Sequence, residues 1–233
     1  MKLCCVNRNY ILNSVMETET QKSIVCTCIE QLNTWEPFIM EIAHEILKKD
    51  TGKLVVDVGA HVGNYSYLAY DLGYHVVACE CRSDWVDALS DSILKNGCGD
   101  KISVLHERVG SSISLSDILR QTSFNSIYLL KMDIEGAEPD VINSSRDMIT
   151  NRLVSHILCE ISPKYSDSYG NMSQFICDNG YDVYDIGLGD DLRPFNKDTC
   201  HFETLQKITT NLSSYIQNIP HGQTNFYFVK KDT

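Results

Sequence analysis

Short apolar runs alternate with stretches of helical spacing along most of this chain. The first run, Leu54-Val55-Val56, closes on Asp57 and predicts a buried strand over 54–58. Further strand-length runs lie at 75–80, 102–106, 126–132, 155–160, 181–186 and 225–230. Between them the spacing turns helical at 64–71, at 83–96 with Gly97 as a stop, from Ser114 or Ser116 onward, and at 139–150, 172–179 and 203–217. An earlier helix opens on Pro37, which suits a first helical turn, and buries Phe38, Ile39, Ile42, Ala43, Ile46 and Leu47. Residues 187–200, rich in Gly, Asp and Asn, read as a loop; its acids around Asp190 and Asp191 read first as solvated surface, and its position also suits a substrate lid. Residues 1–33 are less regular. Loose alternation over 10–16 and 23–30 predicts a hairpin, so 1–33 reads as an N-terminal extension and 34–233 as the main domain.

Strands that alternate with helices predict an α/β fold, a doubly wound and mostly parallel Rossmann-like sheet. Ligands of such sheets bind outside the carboxyl ends of the strands. Asp57, Glu80, Asp133 and Glu160 each close a core strand there. After the first strand the chain reads Gly59-Ala60-His61-Val62-Gly63-Asn64, a turn into a helix N-terminus. A dinucleotide turn needs a glycine where His61 stands, because the backbone must touch a pyrophosphate. No P-loop sequence occurs either. Glu80 follows Asp57 by 23 positions, close to the ~20-residue offset of ribose-binding acids. A carboxylate there can accept from both ribose hydroxyls. An adenosine without phosphates, carrying an amino acid whose ammonium suits Asp57, is S-adenosylmethionine.

Charge narrows the partners. A formal charge of −11 argues against a broad nucleic-acid footprint and against anionic membrane surfaces. No apolar run is long enough to span a bilayer and no leader pattern opens the chain, so a cytoplasmic location is expected. Ten cysteines in 233 residues do not make a disulfide scaffold. Cys79, Cys159 and Cys177 sit in apolar patterns as small core thiols, and the CxC pairs lack zinc-site spacing. N-x-S sequons such as those at Asn143, Asn171 and Asn211 carry no weight without a secretory signal.

The words DVGAHVGNYS, VVACE, SLSDIL, LLKMDIEGAE and LCEIS, in this order, resemble the FkbM-type methyltransferases. Cys81 stands where that family usually has proline, and His61 where asparagine is common. The resemblance implies a class I methyltransferase fold and S-adenosylmethionine held by Asp57, Gly59, Ala60, His61, Gly63, Asn64, Glu80 and Cys81. It also implies Arg108 and Val109 beside the adenine and Asp133 near the methionine end. The implied activity is O-methyl transfer to a small hydroxylated acceptor, a sugar or nucleotide sugar.

Such an acceptor must lose a proton, which calls for a general base. The candidates are Asp133, Glu135, Glu138 and Glu160, with His61 and His106 behind them. Glu135 and Glu138 are equally suited to a helix dipole, Glu160 to binding nearby backbone N–H groups, and His61 to a polar contact at the helix start. Tyr65 and Trp35 fit either the acceptor side or the core. A group of acids is also a donor set for a hard divalent cation. Two other readings remain at this stage: a cofactor-binding module without turnover, and a nucleic-acid methyltransferase. The oligomeric state is not legible.

Overall fold

A computed structural model describes residues 1–5, 9–13, 23–188, 196 and 205–231. Asp190 and Asp191, and with them most of the expected 187–200 loop, lie outside the described residues. The chain divides into two compact units, Met1–Glu107 with Gly189–Phe202, and Arg108–Leu188 with Glu203–Thr233.

The first unit starts with a hairpin of β1 (Lys2–Cys4) and β2 (Asn9–Ile11), paired antiparallel with Leu3 opposite Tyr10. Residues 23–30, expected as a strand of that hairpin, instead form helix α1 (Ile24–Leu32). Cys26 and Ile29, three apart, bury its inner face, and Asn33 ends it in a left-handed conformation. Helix α2 (Pro37–Leu47) follows and buries Ile39, Ile42, Ala43, Ile46 and Leu47 as expected, while Phe38 is only half-buried and Met40, Glu41 and His44 are buried as well.

Strand β3 (Leu54–Val58), helix α3 (Asn64–Asp71), strand β4 (His75–Glu80), helix α4 (Ser83–Asn96) and strand β5 (Ile102–His106) complete the unit. Their three strands are parallel in the order β5-β4-β3. Every residue of β3 is buried, which a β-branched run tolerates and a polar one would not. The hairpin is tied on by side chains: Asn13 N–H donates to Ser92 Oγ and Ile11 N–H to Asn96 Oδ1, each at 2.9 Å. Tyr10 also stacks on Tyr67, ring centres 4.5 Å apart.

The second unit comprises helix α5 (Leu115–Arg120), strand β6 (Ile127–Met132), helices α6 (Glu138–Ser144) and α7 (Arg146–Thr150), strand β7 (Val154–Ile161), helix α8 (Tyr169–Asp178) and strand β8 (Tyr181–Gly187). It closes with strand β9 (Gln206–Lys207), helix α9 (Leu212–Gln217) and strand β10 (Thr224–Lys230). Strands β6 and β7 are parallel, and β10 lies antiparallel between β7 and β8. Together the elements form the mostly parallel, Rossmann-like α/β fold.

Two helices differ from expectation. The single helix over 139–150 breaks at Ser145, whose buried hydroxyl accepts the N–H of Leu115 at 2.9 Å instead of serving its own helix. The helix over 203–217 is confined to α9, because Asn211 caps Ser214 N–H at 2.9 Å and Gln206–Lys207 pair with β8.

Ser114 supplies a complete capping box with Asp117 at the start of α5. Just before it, Gly110 has φ +97°, and an added Cβ would meet the backbone N of Val141 at 2.8 Å. Gly52 also has positive φ, +68°, but opens onto free space. Gly52→Ala is therefore expected to cost only the left-handed penalty of about 1–2 kcal/mol. Gly110→Ala adds a backbone clash and should lower the urea unfolding midpoint clearly further; equal losses would contradict this packing.

Candidate active site

In the first unit the turn between β3 and α3 is built by backbone geometry. Gly59, His61 and Gly63 have φ of 83°, 50° and 92°. A Cβ on Gly63 would lie 2.7 Å from Leu89 Cδ1, so glycine is required there for space as well as conformation. The N–H groups of Gly59 and Ala60 both donate to the carbonyl of Cys79 at 3.0 Å, which fastens the turn to β4.

His61 is the one non-glycine residue of this turn with positive φ, a conformation that normally costs energy. Three contacts hold it. Its N–H donates to Glu80 Oε2 at 3.0 Å, its Nε2 lies 3.2 Å from Ser23 Oγ, and its ring meets Trp85 edge-on at 3.8 Å. Its place in the fold is that of a turn former, ahead of the helix cap at Gly63.

Glu80, 4% exposed, accepts two more N–H groups on Oε1, from Cys81 at 2.8 Å and Arg82 at 2.9 Å. Three of a carboxylate's roughly four lone-pair sites are thus taken. One site on Oε2 is left, room for one ribose hydroxyl rather than the two expected from sequence. Asp57, 1% exposed, accepts the Ser66 hydroxyl on Oδ2 at 2.6 Å. The Cys81 side chain is exposed, and its carbonyl lies 3.1 Å from His106 Nε2. Tyr65 donates to Glu36 at 2.8 Å, and Trp35 is half-buried.

Asn64 Oδ1, at the first position of α3, and Trp85 Nε1 in α4 are buried beside this turn without a hydrogen-bond partner. Buried polar atoms are nearly always satisfied, so an orphaned acceptor and donor at one turn suit a polar ligand. Ser66 and Trp85 were not singled out by sequence. The signal for Trp85 was its place in the first turn of the helix after Glu80.

The second unit holds the other sequence candidates. Arg108 is exposed and Val109 is buried, bridged to Ile113. Beyond β6, Glu135 is exposed at φ 52°, and Gly136 follows at φ 107° against Tyr165. Glu138 is fully buried and clamps this loop. Its Oε1 accepts Ile134 N–H at 2.7 Å, and its Oε2 accepts Gly136 N–H at 3.0 Å and the Tyr169 hydroxyl. With both oxygens engaged it is a structural carboxylate and a poor base.

Asp133 and Glu160 sit differently. Asp133 is half-buried, with Lys131 Nζ 3.4 Å from its Oδ2, and Lys131 itself is 1% exposed. Glu160, 8% exposed, receives the Gln223 amide on Oε1, while its Oε2 is buried without a hydrogen-bond partner. Burial, and then the charges of Asp133 and Glu138 against the opposing pull of Lys131, push Glu160 up to about 8. That rise favours the protonated acid at neutral pH. The Cys159 thiol beside it is likewise pushed up by burial. Among the described residues no group of three or more His, Cys, Asp or Glu is arranged to hold a metal ion, and no helix is long and apolar enough to cross a membrane.

Residues 105–183 match the family model of the methyltransferase FkbM domain. No curated protein sequence matches the chain. Solved structures share the fold at low identity. The precorrin-6y C5,15-methyltransferase of Geobacter metallireducens GS-15 is 12% identical, with a TM-score of 0.55 over 95% of this chain and 94% of that one. The METTL16 MTase domain is 11% identical, with a TM-score of 0.58 over 94% and 87%. An rRNA methylase of Streptococcus thermophilus is 12% identical, with a TM-score of 0.51 over 82% and 95%. Likeness at such identities gives the fold: that of the class I methyltransferases. The match to the FkbM domain over residues 105–183 and this fold together carry the activity. The chain is a methyltransferase that uses S-adenosylmethionine.

Glu160 makes stability depend on pH in a defined sense. Its folded value of about 8 exceeds its ordinary 4.5, so the folded state holds the extra proton between those values. The favourable contribution is complete below pH 4.5 and is lost as pH rises through 8. Relative to Glu160→Gln, the parent should lose stability across that window by up to about 1.4 kcal/mol per pH unit. Parallel urea-unfolding curves against pH for the two proteins would contradict the assignment.

Proposed function

We propose that the chain transfers a methyl group to a hydroxyl of a small acceptor, a sugar or a nucleotide sugar. The observation that carries this reading is the acid pair of Asp133 and Glu160 over a buried lysine at the ends of β6 and β7. A hydroxyl must shed its proton as the new C–O bond forms, and a positioned base contributes about 10²–10⁴-fold. Asp133, less enclosed than Glu160 and charge-supported by Lys131, is the group suited to take that proton.

S-adenosylmethionine, when bound, supplies a methyl group on a sulfonium that leaves as a neutral thioether. Glu80 Oε2 has the capacity for a ribose hydroxyl, and Asp57 with the free Asn64 Oδ1 suits an ammonium. Gly59, Ala60, His61 and Gly63 give the turn its shape, and Cys81 continues it past Glu80. Arg108 and Val109 are proposed for the adenine side, and Glu135 as an exposed acid on the acceptor side. Alignment of the acceptor oxygen behind the methyl group is worth up to about 7–11 kcal/mol.

RNA is the second reading, since the structural neighbours include an rRNA methylase. The −11 charge runs against it, because RNA backbones demand clustered cations. Incubating the intact chain with methyl-labelled S-adenosylmethionine and nucleotide sugars, glycans, small alcohols and structured RNA separates the two. Label is expected on a carbohydrate hydroxyl, falling at least about 100-fold in Asp133→Asn, within the range of a lost base. Label in RNA alone would overturn the acceptor class. Calorimetric binding of S-adenosylhomocysteine with no transfer to any acceptor would instead mark a module without turnover.

A further inference from the structure

Glu160 lies at the end of β7, and the group that reaches it comes from 63 positions further along the chain. Gln223 stands directly before β10, whose pairing sets Thr224 opposite Ile161 and Asn225 opposite Glu160. That register brings the Gln223 amide onto Glu160 Oε1, where its N–H donates. Oε1 therefore acts as an acceptor. Oε2, buried and without any donor, would as half of an anion carry charge with nothing to stabilise it. A neutral carboxyl resolves the asymmetry, with the C=O at the oxygen that accepts and the O–H at the oxygen that nothing donates to.

The charged groups that face Glu160 agree. Lys131 comes from β6, Asp133 directly follows that strand, and Glu138 comes from α6. Glu138 already accepts two backbone N–H groups and the Tyr169 hydroxyl. One buried ammonium against three carboxyls leaves no cation for Glu160.

We propose that Glu160 works as a neutral hydrogen-bond donor, with its proton on Oε2 and directed toward Asp133, and that Gln223 is the positioning residue that fixes which oxygen carries it. The acid pair then presents one proton acceptor, Asp133, and one donor, Glu160. A hydroxyl, which both donates and accepts, is the group that matches such a pair. This division of labour rests on the methyltransferase reading above, whereas the protonation state does not.

Infrared difference spectra of the intact protein test it. Neutral carboxyl C=O stretches fall apart from the bands of ionised carboxylates and of the backbone. At neutral pH, subtraction of Glu160→Gln from the parent should reveal one neutral carboxyl, half lost near pH 8. Gln223→Met removes the donor to Oε1 but keeps the side-chain volume. It should move that C=O band to higher frequency and shift its loss to higher pH, because the carboxylate loses a stabilising donor. Absence of the band in the parent, or a band and midpoint unmoved by Gln223→Met, would overturn the proposal. Methyl transfer to the labelled acceptor should also fall above about pH 8, with Gln223→Met moving that limb upward. A band that behaves as expected beside an unmoved pH profile would leave the protonation state standing and refute its part in the reaction.

Discussion

The Glu80 carboxylate is the constraint on which the first unit's site depends. It gathers the N–H groups of His61, Cys81 and Arg82, so one side chain binds the turn after β3 to the chain leaving β4. A buried carboxylate is costly unless its oxygens are met by donors, and these three meet it. In return the carboxylate holds His61 at a positive φ that a histidine seldom adopts. The turn is thus shaped before any ligand arrives, which lowers the ordering cost of binding. Asn64 Oδ1 and Trp85 Nε1, buried with nothing to bind, are where that shape remains unfinished.

The second unit solves a different electrostatic problem. Asp133 and Glu160 face one buried ammonium, with Glu138 close to Glu160, and each acid is settled differently. Glu138 finds three donors and becomes a clamp for the loop of 134–136. Asp133 keeps the lysine and some solvent. Glu160 keeps its proton. Three acids that look alike in sequence end with three separate duties, and environment alone divides them.

Much of this was legible in the chain. Strands 54–58, 75–80 and 102–106 and helices 64–71 and 83–96 fall where the apolar pattern put them, since buried β-branched runs and a terminal Gly97 leave little choice. Residues 24–32 were not legible as a helix, because the apolar positions of IVCTCIEQL satisfy alternation as well as helical spacing. The break at Ser145 depends on a partner 30 positions away, and Gln223 acts on Glu160 across 63. Local pattern carries no trace of such contacts. The clamping role of Glu138 was hidden for the same reason: Tyr169, on α8, is one of its three donors.

The central claim is that the turn of residues 59–63, locked by Glu80, is preformed and receives S-adenosylmethionine. Amide hydrogen exchange across residues 59–82, in the free protein and with S-adenosylhomocysteine, tests it most directly. The account predicts slow exchange at His61, Cys81 and Arg82 without ligand and further slowing around Gly63 and Asn64 with it. Free-chain exchange rates at those three amides, or ligand binding that leaves the turn unchanged, would contradict it.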